Sequence, residues 1–106
     1  MTDKISGLKE KLKANPSQIF HRYSLAQAYM DNEDLSSACE EFEKCLLVKP
    51  DWMMAALSLG KAYLDDGQKN RASEKLELAL KLAREQNHDD PAAEATELLK
   101  ECSFSE

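Results

Sequence analysis

Only five β-branched residues occur in the 106-residue chain: Thr2, Ile5, Ile19, Val48 and Thr96. A pleated sheet draws its packing from such side chains, whereas Ala, Leu, Glu and Lys, which abound here, favour helices. A β or α/β fold is therefore excluded. Basic charge is also short: 14 Lys and Arg stand against 20 Asp and Glu, a net charge of −6. Neutralising phosphates requires a cationic surplus, so no nucleic-acid partner is expected. Long apolar runs are missing. The longest, Trp52 to Leu57, falls far below a membrane span, and no membrane partner is expected either. The opening MTDKISGLKEKLK interleaves charges too closely for a secretion signal. Cys39, Cys45 and Cys102 form an odd set without paired spacing, which fits a reducing cytoplasm better than a disulfide scaffold.

Catalytic equipment is equally sparse. The only histidines are His21 and His88. Glu85 and His88 form one E-x-x-H pair, but a di-iron carboxylate site needs a second, and Gln18 stands three residues before His21. Cys39 and Cys45, six apart, would lie on different faces of a helix and cannot ligate one ion together. Neither a glycine-rich phosphate loop nor a nucleophile elbow is present, and the chain holds just three glycines. The expectation is a protein without cofactor or metal that is not an enzyme. Glu40, Glu41 and Glu43 read as a solvated helix face.

What is present is punctuated helix. Pro16, Pro50 and Pro91 fall between apolar-periodic segments. Helices are predicted over 3–14, 18–31, 35–48, 52–65, 69–86 and from Pro91 to Cys102. Asp51 is the expected N-cap of the fourth helix, Gly67 its left-handed terminator, and Asp90-Pro91 the expected N-cap and first position of the sixth. The stretch KLELALKL alternates as a strand would, yet Ala72, Leu76, Ala79, Leu80 and Ala83 form one helical stripe. Its length and lack of β-branching decide for helix.

The strongest signal is internal repetition. A shift of 34 residues places Ser24-Leu25 on Ser58-Leu59, Ala28-Tyr29 on Ala62-Tyr63, Asp31 on Asp65, and Ala38, Glu40, Glu43 and Leu46 on Ala72, Glu74, Glu77 and Leu80. Leu8 and Leu12 register with Phe42 and Leu46, so the first helix is the second half of an incomplete unit. Cys45 falls at a small-residue packing position.

Two helices in a 34-residue period resemble the tetratricopeptide repeat (TPR) family, in the form of small stand-alone bacterial members. Leu25, Ala26, Tyr29, Ala38, Phe42, Cys45 and Pro50 match its pattern in the first unit. Leu59, Gly60, Tyr63, Ala72, Leu76 and Ala79 match it in the second. Glu33 stands where the family favours a glycine, and Arg84 replaces the second terminal proline, so the fifth helix should run on by about a turn. The resemblance implies an all-α, right-handed solenoid in one domain over 1–106. Repeats at 19–52 and 53–86 would be flanked by a half-repeat helix (3–14) and a capping helix (91–102).

It also implies a concave groove lined by the first helix of each unit: Phe20, Tyr23, Ser24, Gln27 and Asp31, then Met54, Leu57, Ser58, Lys61 and Asp65, with Trp52 at the rim. Family members that bind chaperone tails clamp carboxylates with lysine, asparagine and arginine. Lys61 is the main cation here, so no two-carboxylate clamp is expected. The implied function is protein binding: a peptide or helix held by Phe20, Tyr23, Met54 and Leu57 and oriented by Gln27 and Lys61. The alternative is a self-associating structural protein that buries its groove or open end in a homodimer.

Overall fold

The computed structural model describes residues 4–103. Six helices follow one another: α1 (Lys4–Ala14), α2 (Ile19–Asp31), α3 (Leu35–Val48), α4 (Met53–Asp65), α5 (Lys69–Glu85) and α6 (Asp89–Ser103). Among the described residues there is no strand. Asp3, the expected start of the first helix, lies outside them. Each helix packs on its successor, and α6 also touches α4. The all-α repeat solenoid expected from the 34-residue period is what forms.

Small residues set the spacing of the stack. A Cβ on Gly60 would stand 2.6 Å from both Cγ and Cδ2 of Leu76, so α4 and α5 approach closely only because position 60 has no side chain. Ala26, Ala38 and Ala72 are fully buried at the matching crossings. Into the resulting core fit Phe42, Leu57, Leu59, Leu76 and Cys45, its largest fully buried side chains. One apolar cluster runs from Ala26 on α2 to Ala95 on α6. A second joins Leu8 and Leu12 of α1 to Leu25 and Ala28 of α2.

The turns repeat as closely as the helices. Glu33 (φ 61°), Gly67 (φ 80°) and Asn87 (φ 61°) each close a helix in the left-handed conformation. After each, the next backbone N–H reaches back five residues: Asp34 to Tyr29 O (2.9 Å), Gln68 to Tyr63 O (2.9 Å) and His88 to Ala83 O (2.8 Å). These are Schellman closures, and Glu33 adopts one despite its Cβ. The helix lengths agree with the proline argument: α3 has 14 residues and stops before Pro50, whereas α5, lacking that proline, has 17.

Two expected caps are not formed. Trp52, not Asp51, occupies the N-cap of α4, and it offers no side-chain bond. The Asp51 carboxylate instead pairs with Lys49 at 3.3 Å, and its carbonyl accepts from Gln86 Nε2 at 3.1 Å. At α6 the His88 carbonyl already accepts from Ala92 N–H at 3.2 Å, so the helix begins at Asp89. The closure of α5 ends at His88 and lets the next helix start there. Pro91 is thus third in α6, still within the turn whose N–H groups lack helical partners. Asp34 does cap α3, accepting from Ser37 N–H at 3.3 Å.

The acidic face predicted on α3 is only partly solvated. Glu40 is exposed, but Glu41 pairs with Arg22 of α2 at 2.7 Å. Glu43 accepts from Tyr63 Oη at 2.5 Å and pairs with Lys75 at 3.5 Å. These carboxylates tie α3 to α2, α4 and α5.

Phe42→Ala is expected to cost about 3–5 kcal/mol, because the side chain is fully enclosed. Denaturant titration measures it, and an unchanged midpoint would mean Phe42 lies outside the core. Glu33→Gly should act in the opposite sense, raising stability by about 0.5–1 kcal/mol as the left-handed strain exceeds the added chain entropy. A lower melting temperature for that variant would refute the strain.

Candidate functional site

The turn geometry brings the first residues of α2 and α4 together, because the helices on either side run antiparallel. At that end the aromatic residues form a continuous stack. Tyr23 meets the edge of core Phe42 at a centroid distance of 5.6 Å, and Trp52 stacks on Tyr23 at 4.9 Å with planes 26° apart. Phe20 then meets Trp52 edge-on at 5.4 Å. The stack rises from the core to the surface, where Phe20 is 65% exposed and Met54 41% exposed.

A polar strip runs beside it. Gln27 Nε2 donates to Tyr23 Oη at 3.0 Å and to Ser58 Oγ at 3.4 Å. Tyr23 Oη and Ser58 Oγ also lie 3.4 Å apart. Gln27 is thus held in place, with its amide oxygen left to accept. Ser24 is half-buried, and Asp31 and Asp65 are exposed at the far end of the same helices.

Three expected groove residues behave differently, the first being Ser58, which is 7% exposed and meets Tyr23 and Gln27 from within the fold. Leu57 is 1% exposed and belongs to the core, in the apolar cluster to which α6 also contributes. A leucine with no exposed surface offers a ligand no contact. Lys61 pairs with Glu94 of α6 at 2.6 Å. Its charge is matched by a carboxylate of the final helix and does not stand as an isolated cation in the groove. The sequence reading missed Glu94 because register is lost after Arg84. The clue available was a pair of opposite charges spaced one residue short of the repeat period.

The cysteines sit in the packing. Burial, reinforced by Asp66 and Glu43, pushes the Cys39 thiol up to about 11; burial pushes Cys45 to about 11 as well, partly offset by Arg22. Cys102 is half-buried on α6 and is also raised, chiefly by burial. Burial and the hydrogen bond to Glu43 raise the Tyr63 phenol to about 12. All three thiols are protonated near neutrality, a state suited to packing and ill suited to nucleophilic work. Glu85 and His88 are both exposed at the α5–α6 turn. Among the described residues no group of three or more metal-ligating side chains is gathered.

A two-helix unit repeated along the chain, with small residues at the crossings and an aromatic inner face, defines an all-α helical repeat protein. The tetratricopeptide repeat pattern matches residues 22–51 and 55–86, and the chain belongs to that family. Its repeats generally mediate protein–protein interaction, and its members are typically non-enzymatic. A tetratricopeptide repeat domain protein from Salinibacter ruber, solved by NMR, superimposes with a TM-score of 0.76 at 25% identity, covering 87% of this chain and 93% of its own. A Bordetella parapertussis protein superimposes with a TM-score of 0.84 at 20% identity, over 97% and 90% of the two chains. No curated protein matches the sequence. No helix among the described residues is long and apolar enough to cross a membrane.

Under native conditions Cys102 should react first with a colorimetric thiol reagent, while Cys39 and Cys45 lag far behind. Equal rates for Cys45 and Cys102 would contradict the core placement. The same burial sets a pH dependence. The unfolded thiols ionise near 9, whereas folded Cys39 and Cys45 keep their protons to about 11. Their contribution to stability is therefore complete below 9 and is lost as pH rises from 9 through 11. Thermal midpoints across that range should fall, and fall less steeply in a Cys39→Ala, Cys45→Ala double variant.

Proposed function

We propose that the chain is a non-enzymatic interaction module that holds a peptide segment or helix along its concave face. The observation that carries this reading is the aromatic stack from Phe42 to Phe20. The fold needs its inner members, yet the outermost ring, Phe20, keeps most of its surface in solvent, and Met54 on α4 is exposed as well. In this reading Phe20, Trp52, Tyr23 and Met54 supply the apolar contacts, and Gln27 orients the ligand backbone. The units are 19–52 and 53–86, with the segments 3–14 and 91–102 closing the two ends. The free thiols support a reducing compartment such as the cytoplasm.

Trp52 is the single tryptophan, so its emission reports directly on the platform. Peptides selected from a displayed random library should shift that emission on binding and lose about tenfold or more in affinity with Phe20→Ser, the scale of losing one buried aromatic contact. Helicity should be unchanged, because the replaced ring is mostly solvent-exposed. Selected peptides that neither perturb Trp52 nor respond to Phe20→Ser would overturn the reading. Sedimentation of the free protein should give a monomer; a dimer dispersed by Phe20→Ser would mean that a second copy occupies the face.

A further inference from the structure

A second apolar surface lies at the C-terminal end of α3. Leu47 and Val48, the last two residues of α3, are 82% and 64% exposed. Helix ends favour lysine or arginine in the last turn, and α3 has none there. With Pro16 and Ile19 these residues line a notch of about 340 Å³, whose rim carries Arg22 and Lys44.

The second unit shows what this corner looks like when covered. A shift of 34 residues maps Ile19 on Met53, Val48 on Leu82 and Lys49 on Ala83. Met53, Leu82 and Ala83 are buried together, with Ala92 from the start of α6 packed against them. The extra turn of α5 brings Ala83 into place, and the first turn of α6, bearing Asp89 and Asp90, lies over the corner. In the first unit Pro50 stops α3 at the equivalent point, and the start of α4 leaves Leu47 and Val48 bare. Leu47 itself replaces the exposed Lys81 of the second unit.

The charge around the notch indicates the missing cover. An adjoining cleft shares Pro16 and Arg22 and adds Lys9, Lys13 and Glu10. Glu41 is shared between Arg22 at 2.7 Å and Lys44 at 3.6 Å. Four cations thus face two carboxylates, a local positive surplus on a chain of net charge −6. We propose that this notch is a second docking surface, distinct from the concave groove, for a partner helix whose acidic first turn precedes an aliphatic residue. Such a segment would reproduce the cover that α6 gives the second unit: aspartates toward the cations and an aliphatic side chain on Ile19, Leu47 and Val48.

The probe is a short labelled amphipathic peptide with two leading aspartates and leucines spaced three and four apart, compared with a counterpart carrying lysines in place of the aspartates. The acidic peptide should bind saturably, more tightly than the basic one, and more weakly as salt rises. Leu47→Glu should weaken it about tenfold or more, by removing the apolar contact and opposing the aspartates. Val48→Glu should act in the same direction. Both variants should keep the wild-type circular dichroism, since the replaced side chains are exposed. Phe20→Ser, which tests the groove, should change this affinity by less than about twofold. Equal binding of the two peptides, or indifference to Leu47→Glu and Val48→Glu, would overturn the proposal. So would phosphatidylserine-containing vesicles that retain the wild type and release Leu47→Glu, or a dimer of the free protein that Leu47→Glu disperses.

Discussion

At the α4–α5 crossing there is room for one leucine and no opposing side chain. Leu76 lies where a Cβ of residue 60 would come within 2.6 Å, so its burial and the closeness of the helix pair are one constraint. Ala26, Ala38 and Ala72 meet the same demand at the matching crossings. Once paired helices lie this close, the larger side chains pack into a core that is shared along the stack. Phe42 in the first unit and Leu76 in the second belong to the one apolar cluster that spans the units, both with no exposed surface. Unit then stacks on unit, and the first helices of the units come to share a face. The aromatic platform follows from this stacking, since Tyr23 reaches Phe42 only because α2 and α3 are close together.

Much of this was legible in the sequence, because its cause is local and repeated. The 34-residue period, the small residues at fixed offsets and the prolines depend on side-chain size and backbone chemistry within one unit. Helix ends followed too: Pro50 halts α3 and its absence lengthens α5. The failures have a different origin. Leu57 occupies a groove position by register, yet it is buried in a core that α6 helps to build. Where α6 lands depends on the extra turn of α5 and on the closure at His88, neither of which has a counterpart in the first unit. Asp51 had the right chemistry for a cap, but the turn at Lys49 to Trp52 starts the helix one residue later. The sequence shows the unit, and the departure from the unit decides which groove residues remain at the surface.

The acidic character has a similar double nature. A net charge of −6 suggests a repelling surface, but Glu41, Glu43 and Glu94 each bridge helices that local propensity would not hold together. Exposed pairs contribute little, and Lys61 to Glu94 is about half exposed on both sides. Their value lies in orientation. Glu43 meets the buried Tyr63 hydroxyl and so satisfies a polar group that the core would otherwise strand. Carboxylates that read as one solvated stripe are therefore divided between solvent and the seams of the stack.

The platform's rigidity bears on what it can bind. An isolated surface phenylalanine samples several rotamers and must give them up on contact, a cost of order 1 kcal/mol for each immobilised side chain. Phe20 is propped edge-on against Trp52, which is stacked on Tyr23, which rests on a ring without any exposed surface. Gln27, bonded to Tyr23 and Ser58, is similarly fixed. The ordering cost at this face is thus met during folding, and an apolar ligand residue finds its contacts already in position. Leu47 and Val48 stand at a helix terminus and lack such support. A partner there gains less from preorganisation and more from the surrounding cations. Binding at the platform should accordingly depend weakly on salt, and binding at the notch strongly, because the two faces draw on different physical sources of affinity.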